Sequence, residues 1–276
     1  MSSINFEHTI NSGQVFLWKK IGDNWYGIDG QRIIKITPNG IIATSNKTQV
    51  DFFRKKDKIK KIIAEISHDQ TVSNAVKKYP GLRITRQDPF QCLISFIVSS
   101  NSNIQKIKYN LENICHKFGD KTIFDEREFF LFPTPEKLAS AKIKDIMLCG
   151  TGYRSKFILE ASKKISSGQI NLEQAKKNDY HTAKDIIRTI PGIGNKVADC
   201  ILLFSLEKLD AFPLDRWMIR ILEKYYPEKF KIHTKTITEK QHESLHTKLV
   251  DYFGNNAGYA QQFLFKMQRD VYEKKW

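Results

Sequence analysis

Lys196 stands in Ile190-Pro191-Gly192-Ile193-Gly194-Asn195-Lys196-Val197-Ala198-Asp199-Cys200, just past a glycine hairpin and just inside an apolar run read as a helix. A lysine at a helix start faces the positive end of the helix dipole, which disfavours the ammonium form, and the free amine is the nucleophile. Cys200 follows four residues later and shares its helix face, with Val197, Ile201 and Phe204 as the adjacent core stripe. Asp215, after Pro213, heads the next expected helix. An N-cap role suits it, and a carboxylate fixed near the lysine can also stabilise positive charge developing on a sugar. Such a pair suits displacement of a base from deoxyribose. Gln261 and Phe265, also four apart, share one face of the last expected helix. A glutamine offers donor and acceptor to a base edge, and a phenylalanine offers a stacking surface. Each residue alone has a plainer reading: surface lysine, small core cysteine, helix cap, core phenylalanine beside an exposed glutamine.

The Pro-Gly-Ile-Gly turn between two helices reads as a helix-hairpin-helix. Gly192 and Gly194 permit a tight turn whose backbone N–H groups, at a helix N-terminus, can hold a phosphate. The charge balance agrees. Lys and Arg number 45 against 30 Asp and Glu, a net +15, which favours nucleic acid first and an anionic membrane surface second. Apolar stretches such as residues 201–204 fall far short of a bilayer span, so no membrane partner is expected. The start, Met-Ser-Ser-Ile-Asn-Phe-Glu-His, lacks a basic segment followed by an apolar one and so is not a secretory signal, which points to a cytoplasm (nucleoid) or a nucleus. The four cysteines, Cys92, Cys115, Cys149 and Cys200, are widely and irregularly spaced. Without a Cys-x-x-Cys pair no zinc or iron–sulfur site is indicated, and no metal or organic cofactor is expected.

The 276 residues allow one large or two modest domains. Short β-branched or aromatic segments at 24–28, 32–37 and 40–44, separated by Gly/Asn/Asp turns, read as antiparallel strands, and 11–18 reads as a loop entering an apolar strand. Beyond about residue 48 the pattern becomes helical. The basic run 54–61, between Phe52-Phe53 and Ile62-Ile63, reads as the solvated face of an amphipathic helix. Asp88-Pro89 opens a strongly apolar central helix to about Ser99, which ends in the polar cluster 99–103. Helices follow at about 104–117, from the Gly150–Arg154 loop through about 166, at 183–189, at 195 to about 207, after Asp215, and after Gly254–Gly258. No repeat or low-complexity linker is present. The expected architecture is α+β: a small N-terminal antiparallel sheet attached to a larger all-α body, with residues 1–83 as a sheet-then-helix domain and 84–276 as the helical domain. Gly13, Asn101, Tyr153 and Arg154 fall in loops or helix breaks, where pattern alone gives them no more than turn or surface roles.

With these residues in view, the chain resembles the 8-oxoguanine DNA glycosylase/lyase branch of the helix-hairpin-helix glycosylases. The likeness spans nearly the whole chain: Asn11–Trp18, Arg86–Pro89, Phe96–Ile104, Gly152–Arg154, Pro191–Cys200, Pro213–Asp215 and Gly258–Gln261. The resemblance implies that Lys196 attacks C1′ of a flipped nucleotide and that the resulting Schiff base permits β-elimination, with Asp215 assisting at the sugar. It implies that Cys200 and Phe265 sandwich the base, that Pro213 lines its pocket, and that Gln261 bonds its Watson–Crick edge. The Gly13 carbonyl would accept the N7–H that oxidised guanine has and guanine lacks, one hydrogen bond present or absent in a dry pocket. Asn101, Tyr153 and Arg154 would fill the gap in the duplex, offsetting a flipping cost of roughly a few kcal/mol. Two positions depart. Lys106 stands where eukaryotic members have an arginine that reads the opposite cytosine, and lysine lacks the planar fork. Trp217 stands where they have a histidine near phosphate.

The expected partner is double-stranded DNA containing oxidised guanine, met by a monomer. Two other readings compete: a monofunctional alkylpurine glycosylase, which needs the aspartate but not the lysine, and a non-catalytic DNA-binding module that uses the hairpin for phosphate alone.

Overall fold

A computed structural model describes residues 4–46, 51–232 and 238–273. The first three residues of the start discussed above lie outside them. Helix α1 (Phe6–Ile10), capped by the Asn5 side chain, leads through a turn at 11–14 into a four-stranded antiparallel meander, β1 (Trp18–Ile21), β2 (Asn24–Asp29), β3 (Arg32–Ile36) and β4 (Ile42–Thr44), in that order across the sheet. Period-two alternation gives the sheet two apolar faces. One carries Trp18, Ile34 and Ile36 onto Phe52 and Phe53. The other carries Tyr26 and Ile33 onto Phe129. Gly27 has to be glycine because the Trp18 indole lies where its Cβ would be, with ring atoms 2.1 Å from that point.

The basic run departs from expectation. Residues 51–58 form turns, and helix α2 starts only at Ile59 (Ile59–Ile66). Arg54 is 2% exposed, has φ 50°, and pairs with Glu207 at 2.8 Å and Asp57 at 3.7 Å. A carboxylate 153 positions away in sequence, invisible to local pattern, draws that arginine inside. Helix α3 (Gln70–Lys78) follows, then α4 (Pro89–Ser99), whose N-cap Asp88 accepts from the Gln91 N–H at 2.8 Å. Every residue from Phe90 to Val98 is buried, so α4 is the central helix that its composition promised.

After α5 (Ile104–Phe118) comes a hairpin, β5 (Lys121–Phe124) and β6 (Arg127–Phe130), where only helices were expected. Its turn places Asp125 and Glu126 at φ 54° and 58°. The hairpin docks on the N-terminal sheet. The Tyr26 hydroxyl and Lys35 both bind the Asp125 carboxylate, and the Phe132 N–H donates to the Gly30 carbonyl at 3.2 Å. The remainder is helical: α6 (Pro135–Ala139), α7 (Ile143–Ile146) running into a π-helical turn Met147–Thr151, α8 (Arg154–Ser166), α9 (Leu172–Lys177), α10 (Tyr180–Arg188), α11 (Asn195–Ser205), α12 (Arg216–Tyr225), α13 (Glu239–Phe253) and α14 (Ala257–Glu273). The small-sheet, large-helical-body architecture is as expected. One apolar core runs from Phe16 and Leu17 through α4 and α11 to Phe263 and Leu264.

Between α10, α11 and α13 lies a buried polar cluster. Asp199, with no exposed surface, receives the Tyr180 hydroxyl at 2.8 Å and sits 3.0 Å from Lys184 Nζ and 3.2 Å from His242 Nε2. Burial alone would push its carboxyl up, but His242 and Lys184 outweigh that and hold it below the usual range. His246, 4% exposed, stacks on Tyr180 at 4.1 Å, and burial depresses its imidazole to about 4. The folded state therefore resists protonating His246, whereas the unfolded chain accepts a proton near pH 6.5. Its contribution is fully present above pH 6.5 and is lost as pH falls towards 4, about 3 kcal/mol in all at 1.36 kcal/mol per pH unit. Urea melts at successive pH values should show that decline, and His246→Gln should flatten it. An equally steep decline in the variant would remove His246 from the account.

Candidate active site

Gly194 is the N-cap of α11 and Lys196 lies in its first turn, half-buried, with Nζ 5.4 Å from the Phe96 ring centroid. Phe96 comes from the central helix and stacks on Phe204 with centroids 5.5 Å apart. The lysine thus lies along a rigid aromatic wall rather than in open solvent. One turn on, Cys200 is 3% exposed. Burial pushes its thiol up to about 12, with Lys196 beside it pulling the other way, so it is a neutral packing surface and not a second nucleophile.

Asp215 is the N-cap of α12, and its carboxylate accepts the Met218 N–H at 2.8 Å. Burial raises its carboxyl, only partly offset by Lys196 and by the Met218 and Trp217 N–H groups. The cap role and the partnership with the lysine therefore coexist. The two side chains feel each other's charge but are not among the ion pairs of the described residues, which leaves a gap between them.

A second wall adjoins the first through Pro213. Gln261, on the first turns of α14, is 4% exposed, and its Nε2 donates to the Pro213 carbonyl at 3.4 Å. Its Oε1 is buried with no hydrogen-bond partner. A buried acceptor left unmade costs on the order of 1–3 kcal/mol, so the arrangement fits a site that receives a donor from elsewhere. Phe265 lies one turn further along. Gly13, at φ 83°, abuts that ring: an added Cβ would come within 3.1 Å of Phe265 Cε1 and 3.2 Å of Arg269 Nη1. The turn is held from both sides. Gln262 Nε2 donates to the Ser12 carbonyl at 2.9 Å. Gln14, fully buried, bonds the Arg83 carbonyl and the Thr85 N–H, each at 2.8 Å, and its own carbonyl receives Gln87 Nε2 at 2.8 Å.

The remaining expected residues form a second cluster. Asn101, at φ 49°, is exposed in the break between α4 and α5, and Lys106 is exposed on the first turn of α5. Tyr153 is 58% exposed and meets Phe157 edge-on at 6.2 Å. Arg154 differs from the gap-filling role expected of it. It is 5% exposed, and its guanidinium is turned inward, bonding the Ser100 carbonyl at 2.8 Å through Nε and the Asn101 carbonyl at 3.1 Å through Nη2. It braces the loop that presents Asn101. Pattern reading missed Phe96, Gln14, Gln262 and Phe157. The last stands under the hairpin and joins it to the Tyr153 loop, and an aromatic three residues past an arginine gives no sign of that.

The two hairpin glycines are exposed for different reasons. At Gly192, φ 84°, a Cβ would strike the Phe157 ring at 2.4 Å, whereas at Gly194 it would meet nothing within 4 Å. Gly192→Ala should cost the fold on the order of 1–3 kcal/mol through overpacking and strain. Gly194→Ala should leave stability within about 1 kcal/mol. It should nonetheless weaken duplex binding about tenfold or more, because its methyl stands where a phosphate would approach the N–H groups. Thermal melts beside binding titrations separate the two effects. Equal DNA affinity for Gly194→Ala and the unsubstituted protein would remove the hairpin from the contact surface.

A surface hollow of about 600 Å³, lined by residues including Phe6, Trp25, Ile36 and Pro80, lies on the N-terminal sheet and contains none of these side chains. Among the described residues no helix is long and apolar enough to cross a membrane. The four cysteines are free.

Residues 1–93 match the family described as 8-oxoguanine DNA glycosylase, N-terminal domain, and residues 94–247 match the HhH-GPD superfamily of base excision DNA repair proteins. The N-glycosylase/DNA lyase OGG1 of Arabidopsis thaliana is 30% identical over 93% of this chain and 75% of its own length. A probable N-glycosylase/DNA lyase of Methanothermobacter thermautotrophicus is 28% identical over 73% and 68%. The 8-oxoguanine glycosylase/lyase of Clostridium acetobutylicum, solved with double-stranded DNA containing cytosine opposite 8-oxoG, superposes with a TM-score of 0.86 at 29% identity, covering 98% of this chain and 93% of that one. A 3-methyladenine DNA glycosylase from Archaeoglobus fulgidus has the same fold, with a TM-score of 0.77 at 16% identity.

Proposed function

The chain belongs to the HhH-GPD superfamily of base excision DNA repair proteins, and from that membership we propose that it excises 8-oxoguanine from duplex DNA and nicks the strand at the resulting abasic site. It is a bifunctional N-glycosylase and DNA lyase like the relatives it matches. It acts as a monomer where chromosomal DNA lies, in a nucleoid or a nucleus.

The lesion nucleotide leaves the stack and enters the space bounded by α11, α12 and α14. The Lys196 nitrogen, once deprotonated, forms a bond to C1′ as the C1′–N9 bond breaks, and the base departs with the electron pair and takes up a proton. The Asp215 carboxylate, fixed at the start of α12, stabilises the positive sugar in the transition state. The amine–C1′ adduct opens to a Schiff base. Loss of a C2′ proton then expels the 3′ phosphate, which cuts the strand. The base is held between Cys200 and Phe265, Gln261 meets its Watson–Crick edge, and the Gly13 carbonyl receives N7–H.

The observation that carries this reading is the unpartnered Oε1 of Gln261, buried beside Pro213 on the wall next to Lys196 and Asp215. A module that bound only phosphates would have no use for it. The monofunctional reading leaves Lys196 without a role, and the low-identity likeness to the 3-methyladenine enzyme extends to fold alone.

Labelled duplexes carrying 8-oxoguanine opposite each of the four bases, an alkylated purine, or plain guanine test it. Base release and nicking are expected for 8-oxoguanine alone. Release without nicking would favour the monofunctional rival. Asp215→Asn retains the helix cap and removes the charge, so base release should fall roughly 10²- to 10³-fold with the melting temperature held. A full-rate Asp215→Asn enzyme would restrict Asp215 to capping.

A further inference from the structure

We infer that Arg216 and Arg220 form a phosphate track on α12, gripping the backbone of the lesion strand beside the extruded nucleotide; the inference rests on the DNA reading above. Helix α12 starts at Asp215, so its first two turns border the site. Arg216 and Arg220 are four apart, share one face, and are both exposed. Core packing comes from the other sides of the helix, through buried Met218, Ile221 and Leu222 and partly buried Ile219.

Most other arginines of this chain are matched, Arg127 being an exposed exception that lies over the Tyr26 ring at 5.9 Å. Arg32 pairs with Asp29, Arg54 with Glu207, Arg86 with Asp51 and Glu207, and Arg188 with Glu239, while Arg154 bonds carbonyls. Arg216 and Arg220 have no carboxylate or carbonyl partner among the described residues. Like charges one turn apart repel within a helix, and near the positive end of the helix dipole the repulsion adds to an unfavourable field. The fold gains nothing in return. An anion bridging the two guanidiniums removes the repulsion, and the helix N-terminus then works in its favour. Arg220 is also preset: its guanidinium carbon lies 5.9 Å from the half-buried Trp217 ring, a stacking contact that limits its rotamers before any ligand arrives. Two planar forks about one helical turn apart suit phosphate oxygens in bidentate contact.

The test measures binding, not turnover. In a Lys196→Gln background, which keeps the lesion duplex intact, affinity is titrated across salt concentrations for Arg216→Gln, Arg220→Gln and Lys224→Gln. Each arginine replaced should lower the slope of log K against log salt by about 0.9 and weaken binding roughly tenfold at 0.1 M salt, equally for lesion and undamaged duplexes. Lys224, one turn further on with its ammonium 4.8 Å from the Tyr225 ring, should change neither. An unchanged slope in both arginine variants, or an equal fall in Lys224→Gln, overturns the track. Base release by the unsubstituted protein is scored separately, so the activity and the track fail independently.

Discussion

Lys196→Gln abolishes covalent trapping by borohydride and lowers base release by on the order of 10⁴-fold or more, the scale on which removal of a nucleophile acts. The fold should survive, because Lys196 is half-buried and makes no ion pair that the core depends on. Its loss is felt first at Asp215. With no cation opposing burial, that carboxyl climbs further from its ordinary range, so the variant loses the nucleophile and weakens the charge that stabilises the sugar. Replacing both residues should therefore cost little more than replacing the lysine alone. Duplex binding should persist with the salt slope of the parent, since hairpin and α12 are untouched. Trapped complex surviving in Lys196→Gln would assign the nucleophile elsewhere, and a lowered melting temperature would recast Lys196 as structural.

Asp199→Ala should destabilise the protein by roughly 3–5 kcal/mol, the cost of removing one member of a buried ionic group. The carboxylate holds three neighbours at once: the Tyr180 hydroxyl, Lys184 and His242. Without it Lys184, 6% exposed, is a buried cation with no counter-charge. At about 2–4 °C per kcal/mol the melting temperature should drop by roughly 10 °C. Lys184→Met combined with Asp199→Leu should recover most of that loss, because a buried ion pair adds little over apolar residues of similar size. A single-variant loss under about 1 kcal/mol would mean that water reaches the cluster. Activity is a separate readout: Asp199 precedes Cys200 on α11, and its partners lie on α10 and α13, so the cluster fixes the two hairpin helices against each other.

Local chemistry announced the parts of this molecule built from short-range rules. Asp88-Pro89 marked the start of α4, the Gly-punctuated β-branched segments marked β2 to β4, and Asp215 after Pro213 marked the cap of α12. What escaped depends on distant partners. Arg54 reads as one more cation in a solvated run until Glu207 is brought to it. The β5–β6 hairpin carries weak alternation and is stabilised by Tyr26 and Lys35, nearly a hundred positions earlier. The positions of Lys196 and Asp215, the proposed chemical pair, were legible because helix starts are legible. Gly13 and Gln261 were proposed as site residues only through resemblance, since nothing near either in sequence indicates that the first turn and the last helix meet. Arg154, expected in the loop, is the first residue of α8, and its inward aim depends on the carbonyls of a loop fifty residues away.

The tether between Ser12 and Gln262 has a consequence for synthesis. A ribosome that has passed residue 215 has already made the hairpin, the amine and the carboxylate, yet the surface against which Gly13 is held is still untranslated. An interrupted product would carry Lys196 while lacking Gln261, Phe265 and the buried side of the last helix. The last helix also carries Tyr259, Ala260, Phe263 and Leu264 of the shared core, so prematurely terminated chains should fail to fold and should neither grip nor cut DNA.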